Sequence, residues 1–284
     1  MSHSKYRLVR LRSGVLTIHS SAHNEKMHPG PGPSAEAEQL HIGQAKIRNR
    51  LQNHTGEFVV WDVGLGAAAN ALTLLRLTRD RPCPLRLVSF DDTVEPLLFA
   101  LLNADTLEYL RAYESAVKTV TEQHRSEFKD GAHIVNWEMH VTDFPSLISR
   151  EEAASVPKPH AILFDPFSPA KNPAMWTLPV FENLFRLLDP ARPCALTTYS
   201  RSTMIRVSLL LAGFFVGRGR PTGMKEETTV AANTPDLLDE PLDAAWLQRA
   251  RKSTSAEPLT EASYRQSPLS TETCRRLRQH AQFA

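Results

Sequence analysis

Cysteine is scarce in this chain. Cys83, Cys194 and Cys274 are the three present, and they lie far apart. No CxxC pair or His-rich spacing goes with them, which argues against a zinc site or a disulfide framework and suits a reducing compartment. No metal is expected. Long apolar runs are missing too. None approaches the 18 or so residues of a membrane span, and no charged–apolar–small signal pattern opens the sequence. The expectation is a soluble cytoplasmic protein with no membrane contact. Net charge is small, +2 over 284 residues. That is too little to mark a nucleic-acid binder by itself, although composition is blind to a local basic surface. Internal repeats and low-complexity blocks are absent. What is present is an ordinary globular composition, 42% apolar, with periodic segments long enough to build a sizeable core. The length suits one large domain with appendages, or two small ones.

The most informative stretch is Ile162–Trp176, ILFDPFSPAKNPAMW. An apolar strand stops at Asp165 and continues through a Pro-punctuated loop into a helical pattern. A strand ending in Asp-Pro-Phe places a carboxylate, a rigid turn and an aromatic face at a sheet's C-terminal edge, where open α/β sheets bind ligands. Alone, the segment reads better as an ordinary strand-to-helix loop shaped by proline; a second acid-tipped strand upstream shifts the balance.

A second such edge lies upstream. Phe58–Val63 is a continuous apolar run, the mark of a buried parallel strand. Gly64 and Gly66 then permit a tight turn and close backbone approach to a ligand, and a good helix former follows from Ala67 to Leu77. Strand–GxG–helix is the nucleotide-binding half of a doubly wound fold. The next strand, Leu85–Asp91, ends in an acid about 25 residues past the glycines, at ribose-binding distance; Asp91 as a helix cap is the structural alternative. The strand Ile134–Val141 leads to Asp143, placed either to read an adenine edge or to cap a helix.

Around these elements lie several others. Short β-type runs flank Ser13-Gly14 as a hairpin. Residues 27–34 form a Pro/Gly loop, and Ser34 caps a helix running to about Leu51, with Glu36 and Glu38 complementing its dipole. A helical apolar stripe covers 94–113, and the polar residues 114–132 extend it or form an insertion. Trp176, Val180, Phe181, Leu184 and Leu188 are core positions of the helix after Pro173. A strand over 194–200, a helix over about 202–211 ended by Gly213, and strands at 214–218 and 227–232 joined by Gly-Arg-Pro-Thr-Gly complete the pattern. Residues 233–284 form a polar, weakly periodic tail, loosely packed or partly disordered, with two short helices and a basic end at Arg275, Arg276 and Arg278.

The order strand–GxG–helix, strand–Asp, strand–Asp, strand–Asp-Pro, strand–helix and closing β-pair resembles the S-adenosylmethionine-dependent methyltransferases. A nicotinamide enzyme fits less well, because Ala69 stands where its third loop glycine belongs. At finer grain the chain resembles the methyltransferase domain of the bacterial tRNA 5-methylaminomethyl-2-thiouridine biosynthesis enzymes. Pro169–Thr177 carries the likeness most specifically. Gly64-Leu65-Gly66 with Asn70, Ser89-Phe90-Asp91, Thr142-Asp143-Phe144, Ala212-Gly213-Phe214 and Pro33–Glu36 support it. It covers roughly residues 7–232.

The resemblance implies a Rossmann-like class I fold, a mostly parallel seven-stranded sheet with a terminal antiparallel strand and an N-terminal hairpin–helix extension. It divides the chain into an extension over 1–56 packed on the core, a methyltransferase domain over 57–232 and a divergent tail over 233–284. It implies S-adenosyl-L-methionine held by Gly64, Leu65, Gly66, Asn70, Asp91, Asp143 and Phe144. On the substrate side it implies Glu36, Pro166, Phe167 and Lys171, and tRNA as partner. The reaction implied is N-methylation of the aminomethyl group of a wobble uridine, 5-aminomethyl-2-thiouridine to 5-methylaminomethyl-2-thiouridine.

The chain departs from the family in three ways. Ala68 replaces a glycine, crowding the approach to the cofactor. Asp165-Pro166 replaces Asp-Gly. A short unrelated tail stands where a flavin-dependent oxidase domain usually follows, which implies a stand-alone form served by a separate oxidase or by the upstream uridine-modifying enzymes.

Methyl transfer to an amine needs a positioned, neutral nucleophile, and an amine with a pKa near 10 is mostly protonated at neutral pH. Asp165 is therefore the candidate catalytic group, orienting the ammonium and receiving its proton directly or through water. Phe167 is placed to stack on a base and Lys171 to meet a phosphate or simply solvent. Two other readings stay open: a methyltransferase of the same fold acting on another amine, in a protein or small molecule, and a catalytically silent scaffold.

Overall fold

A computed structural model describes residues 5–222 and 226–283. The Gly-Arg-Pro-Thr-Gly connector ends at Gly223, outside the described residues. Strands β1 (Tyr6–Arg10), β2 (Leu16–Ser20) and β3 (Glu25–Lys26) form a small antiparallel sheet, the first two joined through Gly14 at φ +85°. The main sheet contains β4 (Phe58–Val63), β5 (Leu85–Asp91), β6 (Arg125–Asp130), β7 (His133–Val141), β8 (Ala161–Phe164), β9 (Ala195–Thr198), β10 (Phe215–Gly219) and β11 (Thr228–Ala232). Their order across the sheet is β10-β11-β9-β8-β4-β5-β7-β6. The central strands β7, β5, β4, β8 and β9 are parallel, and β11 runs antiparallel to both β9 and β10.

The class I arrangement is thus present with one strand more than the seven expected. The extra one is β6, antiparallel on the β7 edge, within the polar stretch read as a helix extension or insertion. Its inward positions are Ser126, Phe128 and Asp130, so both faces look polar and the period of two is hidden. The helix Glu114–Gln123 precedes it, and His124 in the left-handed conformation ends that helix.

The uninterrupted apolar run of β4 is explained by a core on each face. Phe58 and Val60 join one cluster with Leu72, Leu75, Val117 and Trp137. Val59, Trp61 and Val63 join the other with Trp176, Phe181, Ile205 and Leu209. The five core positions expected of the helix after Pro173 are all buried.

Two helical expectations change. Ser34 does not cap; the helix Pro33–Ala37 starts after Gly32 at φ +114° without a side-chain cap. Nor is it continuous to Leu51. It widens into a π-type segment over Glu38–Gly43, stops at Lys46 in the left-handed region, and restarts as Ile47–Gln52.

The tail is more firmly packed than its composition suggests. It carries the helices Ala244–Ala250 and Thr271–Arg278, and Leu242, Trp246, Leu247, Ala250 and Leu277 enter the second core cluster. It also covers the free edge of β10. Leu242 N–H and Gln282 Nε2 both donate to the Val216 carbonyl, Val216 N–H donates to Gln282 Oε1, and Arg218 N–H donates to the Glu240 carbonyl. An uncovered edge strand invites pairing with another chain; this one is occupied. Trp246→Ala should accordingly destabilise the whole domain by about 3 kcal/mol, read as a lower denaturant midpoint in a single transition. A change within about 0.5 kcal/mol would show that the tail only rests on the surface.

Candidate active site

The sheet reverses direction of winding between β4 and β8, and the two loops leaving those strands meet there. Gly64 sits at φ +87°, and a Cβ on it would lie 3.0 Å from the Asp165 carbonyl oxygen and 3.0 Å from Pro166 N. The glycine is therefore required by the neighbouring loop as much as by any ligand. Gly64 N–H and Leu65 N–H donate to the Phe90 carbonyl, and Gly66 N–H donates to Asp91 Oδ2 at 2.8 Å. The acid at the tip of β5 thereby fixes the glycine turn, and its carboxylate retains acceptor capacity toward a ribose. Burial pushes the Asp91 carboxyl up to about 7, against the pull of the Gly66 amide.

Beside these loops lies a cavity of about 470 Å³, within the range of small-molecule and cofactor sites. Of the expected cofactor residues, Gly64, Leu65, Gly66, Asp91, Asp143 and Phe144 line it. Asp143 also caps the helix Phe144–Ser149, accepting from Ser146 N–H at 3.0 Å. Asn70 is not on the wall. It is buried behind it, with Nδ2 donating to Asp165 Oδ2 at 2.8 Å. Asp92, exposed beside Asp91, is a lining carboxylate that sequence reasoning passed over.

On the substrate side, Glu36, Asp165, Pro166 and Phe167 line the cavity, and Lys171 is exposed outside it. The Asp165–Ser168 loop is pinned from three directions. Tyr199 OH donates to the Pro166 carbonyl at 3.0 Å, Trp176 Nε1 donates to the Phe167 carbonyl at 2.8 Å, and Ser168 donates both N–H and Oγ–H to the Glu25 carboxylate. One face of the Phe167 ring is covered by His23, stacked at 3.9 Å.

Two histidines complete the centre. His28 Nδ1 lies 3.7 Å from Asp165 Oδ2 and 3.9 Å from Glu36 Oε2; His41 Nε2 lies 3.8 Å from Asp165 Oδ2. His41 is fully buried, with Nδ1 2.8 Å from Thr197 Oγ1. Burial alone would raise the Asp165 carboxyl, but His41, His28 and Asn70 outweigh it and hold the group below the usual carboxylate range. Asp165 is thus a carboxylate at neutral pH. Glu36 is buried as well, and its Oε2 has no hydrogen-bond partner among the described residues, as expected of an acceptor aimed at a ligand.

His23, Glu25, His28 and His41 went unnoticed in the sequence because they sit in the N-terminal segment, far from any glycine-loop or acid-tipped strand. Only the juxtaposition of His28 with the Pro/Gly run hinted at a shaped wall.

Asp62, near the end of β4, is fully buried, with Oδ1 unpartnered among the described residues. Burial, reinforced by the Asp165 and Asp91 charges, raises its carboxyl to about 8. Of the acids at this end of the sheet, Asp62 is the one that burial shifts furthest toward the protonated form.

The lining suits S-adenosyl-L-methionine. Carboxylates at Asp91 and Asp92 suit ribose hydroxyls, and Leu65, Pro96 and Phe144 offer apolar contacts. Backbone freed of side chains at Gly64 and Gly66 allows close approach. A family described as S-adenosyl-L-methionine-dependent methyltransferase matches residues 107–234, and the chain belongs to that class.

Its relatives are narrower in kind. The tRNA 5-methylaminomethyl-2-thiouridine biosynthesis bifunctional protein MnmC of Methylibium petroleiphilum is 30% identical over 226 residues, covering 77% of this chain and 33% of that protein. That of Cupriavidus necator is 29% identical over 244 residues, 81% of this chain and 36% of the relative. The chain spans about a third of the length of these relatives. The crystal structure of MNMC2 from Aquifex aeolicus shares the fold, with a TM-score of 0.71 at 21% identity over 98% of this chain and 85% of that one. The family resemblance read from residues 58–72 and 160–177 is the one these comparisons return.

Two substitutions probe this geometry. Ala68 is not on the cavity wall. It adopts φ +62° at the start of the helix Ala69–Thr78, is fully buried, and its neighbour Ala67 lines the cavity in its place. Ala68→Gly relieves a left-handed alanine, roughly 1 kcal/mol, and loses a buried methyl, about 0.8 kcal/mol. Stability should change little, and cofactor affinity by calorimetric titration should stay within about twofold; a tenfold change would place Ala68 at the ligand. For Asp62, the folded-state value lies above the ordinary one. Its contribution to stability is complete at low pH and is lost as pH rises from about 4 through about 8. Asp62→Asn cannot lose a proton, so its stability relative to the parent should rise between pH 5 and 8.5, by at least about 1 kcal/mol. Denaturant midpoints showing a pH-independent difference would rule out a buried, titrating Asp62.

Proposed function

We propose that the chain is an N-methyltransferase acting on the aminomethyl group of a tRNA wobble uridine. The observation that supports this most is the anionic corner at the switch point. Asp165 is held as a carboxylate by Asn70, His28 and His41, and Glu36 stands beside it. Such a corner attracts an alkylammonium and fixes its nitrogen. The relatives named for tRNA 5-methylaminomethyl-2-thiouridine biosynthesis supply the substrate class. A flavin-dependent oxidase activity and the upstream uridine-modifying enzymes, acting on the same nucleoside, belong to the same proposal, since the relatives are described as bifunctional.

S-adenosyl-L-methionine, when bound, supplies an electrophilic methyl group. The chain's own residues prepare the amine. Asp165 accepts a hydrogen bond from the ammonium and orients it. A carboxylate held below its usual range is a weak acceptor for a proton from a group of pKa near 10, so Asp165 does not keep that proton. The proton leaves through water instead, and His28, 3.7 Å from Asp165 and on the cavity wall, helps keep Asp165 ionised. His41 is a positioning residue, set by Thr197 from behind. Pro166 and Phe167, pinned through their carbonyls to Tyr199 and Trp176, shape the entrance for a flat base.

Asp165→Asn keeps the size and removes the charge. Methyl incorporation into tRNA bearing the unmethylated aminomethyl group should fall by about 10²–10⁴-fold, with cofactor affinity little changed. His28→Gln should lower kcat about tenfold, because Asp165 loses one of the groups that keep it ionised. Near-normal turnover in Asp165→Asn would reduce Asp165 to a loop anchor. A wild type that binds the cofactor and leaves tRNA nucleosides unmodified would favour another amine as acceptor.

A further inference from the structure

A second concavity of about 460 Å³ lies at the same edge of the sheet. Arg201, Arg206, Arg218 and Arg249 line it against one lining carboxylate, Glu227, with Trp246 at its floor. Arg206 explains itself structurally. It is buried, and its guanidinium donates to Thr229 Oγ1, Glu227 Oε1 and the Thr228 carbonyl at 3.0, 3.0 and 2.7 Å. That satisfies Glu227, which lies 3.8 Å from Arg218. Arg201 lies 3.6 Å from Glu226, a side chain 91% exposed. Exposed pairs of this kind contribute little to stability, so the fold does not explain why three more guanidinium groups converge on the hollow.

Its position is informative. β9 ends at Thr198; Tyr199 lines the catalytic cavity and Arg201, two residues on, lines the second hollow. Two residues span at most about 7 Å. The pairing of Thr229 with both Thr198 and Arg218 brings the ends of β9 and β10 and the start of β11 to one edge. The hollow therefore flanks the catalytic cavity. Guanidinium forks match phosphate oxygens, and phosphate contacts position a nucleic acid without reading its sequence.

We infer that Arg201, Arg218 and Arg249, arranged around buried Arg206, bind the phosphate backbone of an RNA whose base enters the catalytic cavity. This inference rests on the tRNA reading above. It assigns the local basic surface that a net charge of +2 conceals.

The test is fluorescence anisotropy of a labelled anticodon stem-loop RNA with the full chain, from about 50 to 200 mM salt. The variants are Arg201→Gln with Arg218→Gln and Arg249→Gln combined, and Glu226→Gln alone; Arg206 is left in place. The triple variant should bind at least about tenfold more weakly at low salt, with a log–log salt slope shallower by about 2–3. Its kcat/KM for tRNA should fall in parallel while S-adenosyl-L-methionine titrates as in the parent. Glu226→Gln should tighten RNA binding about two- to threefold. Unchanged affinity and slope in the triple variant of an enzyme that methylates tRNA would overturn the groove and leave the substrate reading standing. A parent that binds the cofactor but neither binds nor methylates RNA would overturn both. Loss of poly-glutamate binding with RNA binding retained would assign the hollow to an acidic protein and overturn the proposal.

Discussion

The site depends on one close approach, that of the backbone at Gly64 to the backbone at Asp165-Pro166. Two loops from adjacent parallel strands touch with no side chain between them. This contact sets the distance between the glycine turn and the Asp165 carboxylate. A methyl group at Gly64 would push the loops apart against tightly packed strands on both sides, β5 with Asp91 and β9 with Tyr199. The hydrogen bonds radiating from the contact then fix everything else. Asp91 holds Gly66, Phe90 holds Gly64 and Leu65, and Tyr199 and Trp176 hold the Pro166 and Phe167 carbonyls.

A second constraint is charge. Asp62, Asp91, Asp165 and Glu36 crowd one end of the sheet, and burial penalises each ionised form. The protein resolves this unequally. Asp165 is given two histidines and an amide and stays ionised, whereas Asp62, one layer below, takes up a proton instead. The same physics applied to neighbouring carboxyls lowers one and raises the other, the difference lying in what surrounds them.

The central strands and the glycine turn were legible because a buried parallel strand and a tight turn impose strong local demands, visible at Phe58–Gly66 and Ile162–Asp165. Asp165 at its edge and Asp91 opposite the glycines follow from that same logic. β6 was not legible, because Ser126 and Asp130 do inside what leucine usually does. The firmness of the tail was hidden for a related reason: its attachment runs through backbone groups and one amide, Gln282 on Val216, which no hydrophobic pattern records. His28 and His41 were missed because their role is made by tertiary placement. Nothing near them in sequence repeats, caps or turns in a way that marks an acid's partner. Ala68, read in the sequence from a ligand's side, lies in the core cluster.

The wall of the cavity formed by His23, Glu25, Met27 and His28 bears on the order of events during biosynthesis. Glu25 and Ser168 are 143 positions apart. At 5–20 residues per second, a ribosome needs on the order of 10–30 s after making the first to deliver the second. For that interval the N-terminal sheet has no loop to grip, and the acidic corner has neither Asp165 nor its β8 support. The cavity therefore cannot be complete until β8, β9 and Tyr199 have all been made, and they close on a wall that was synthesised first.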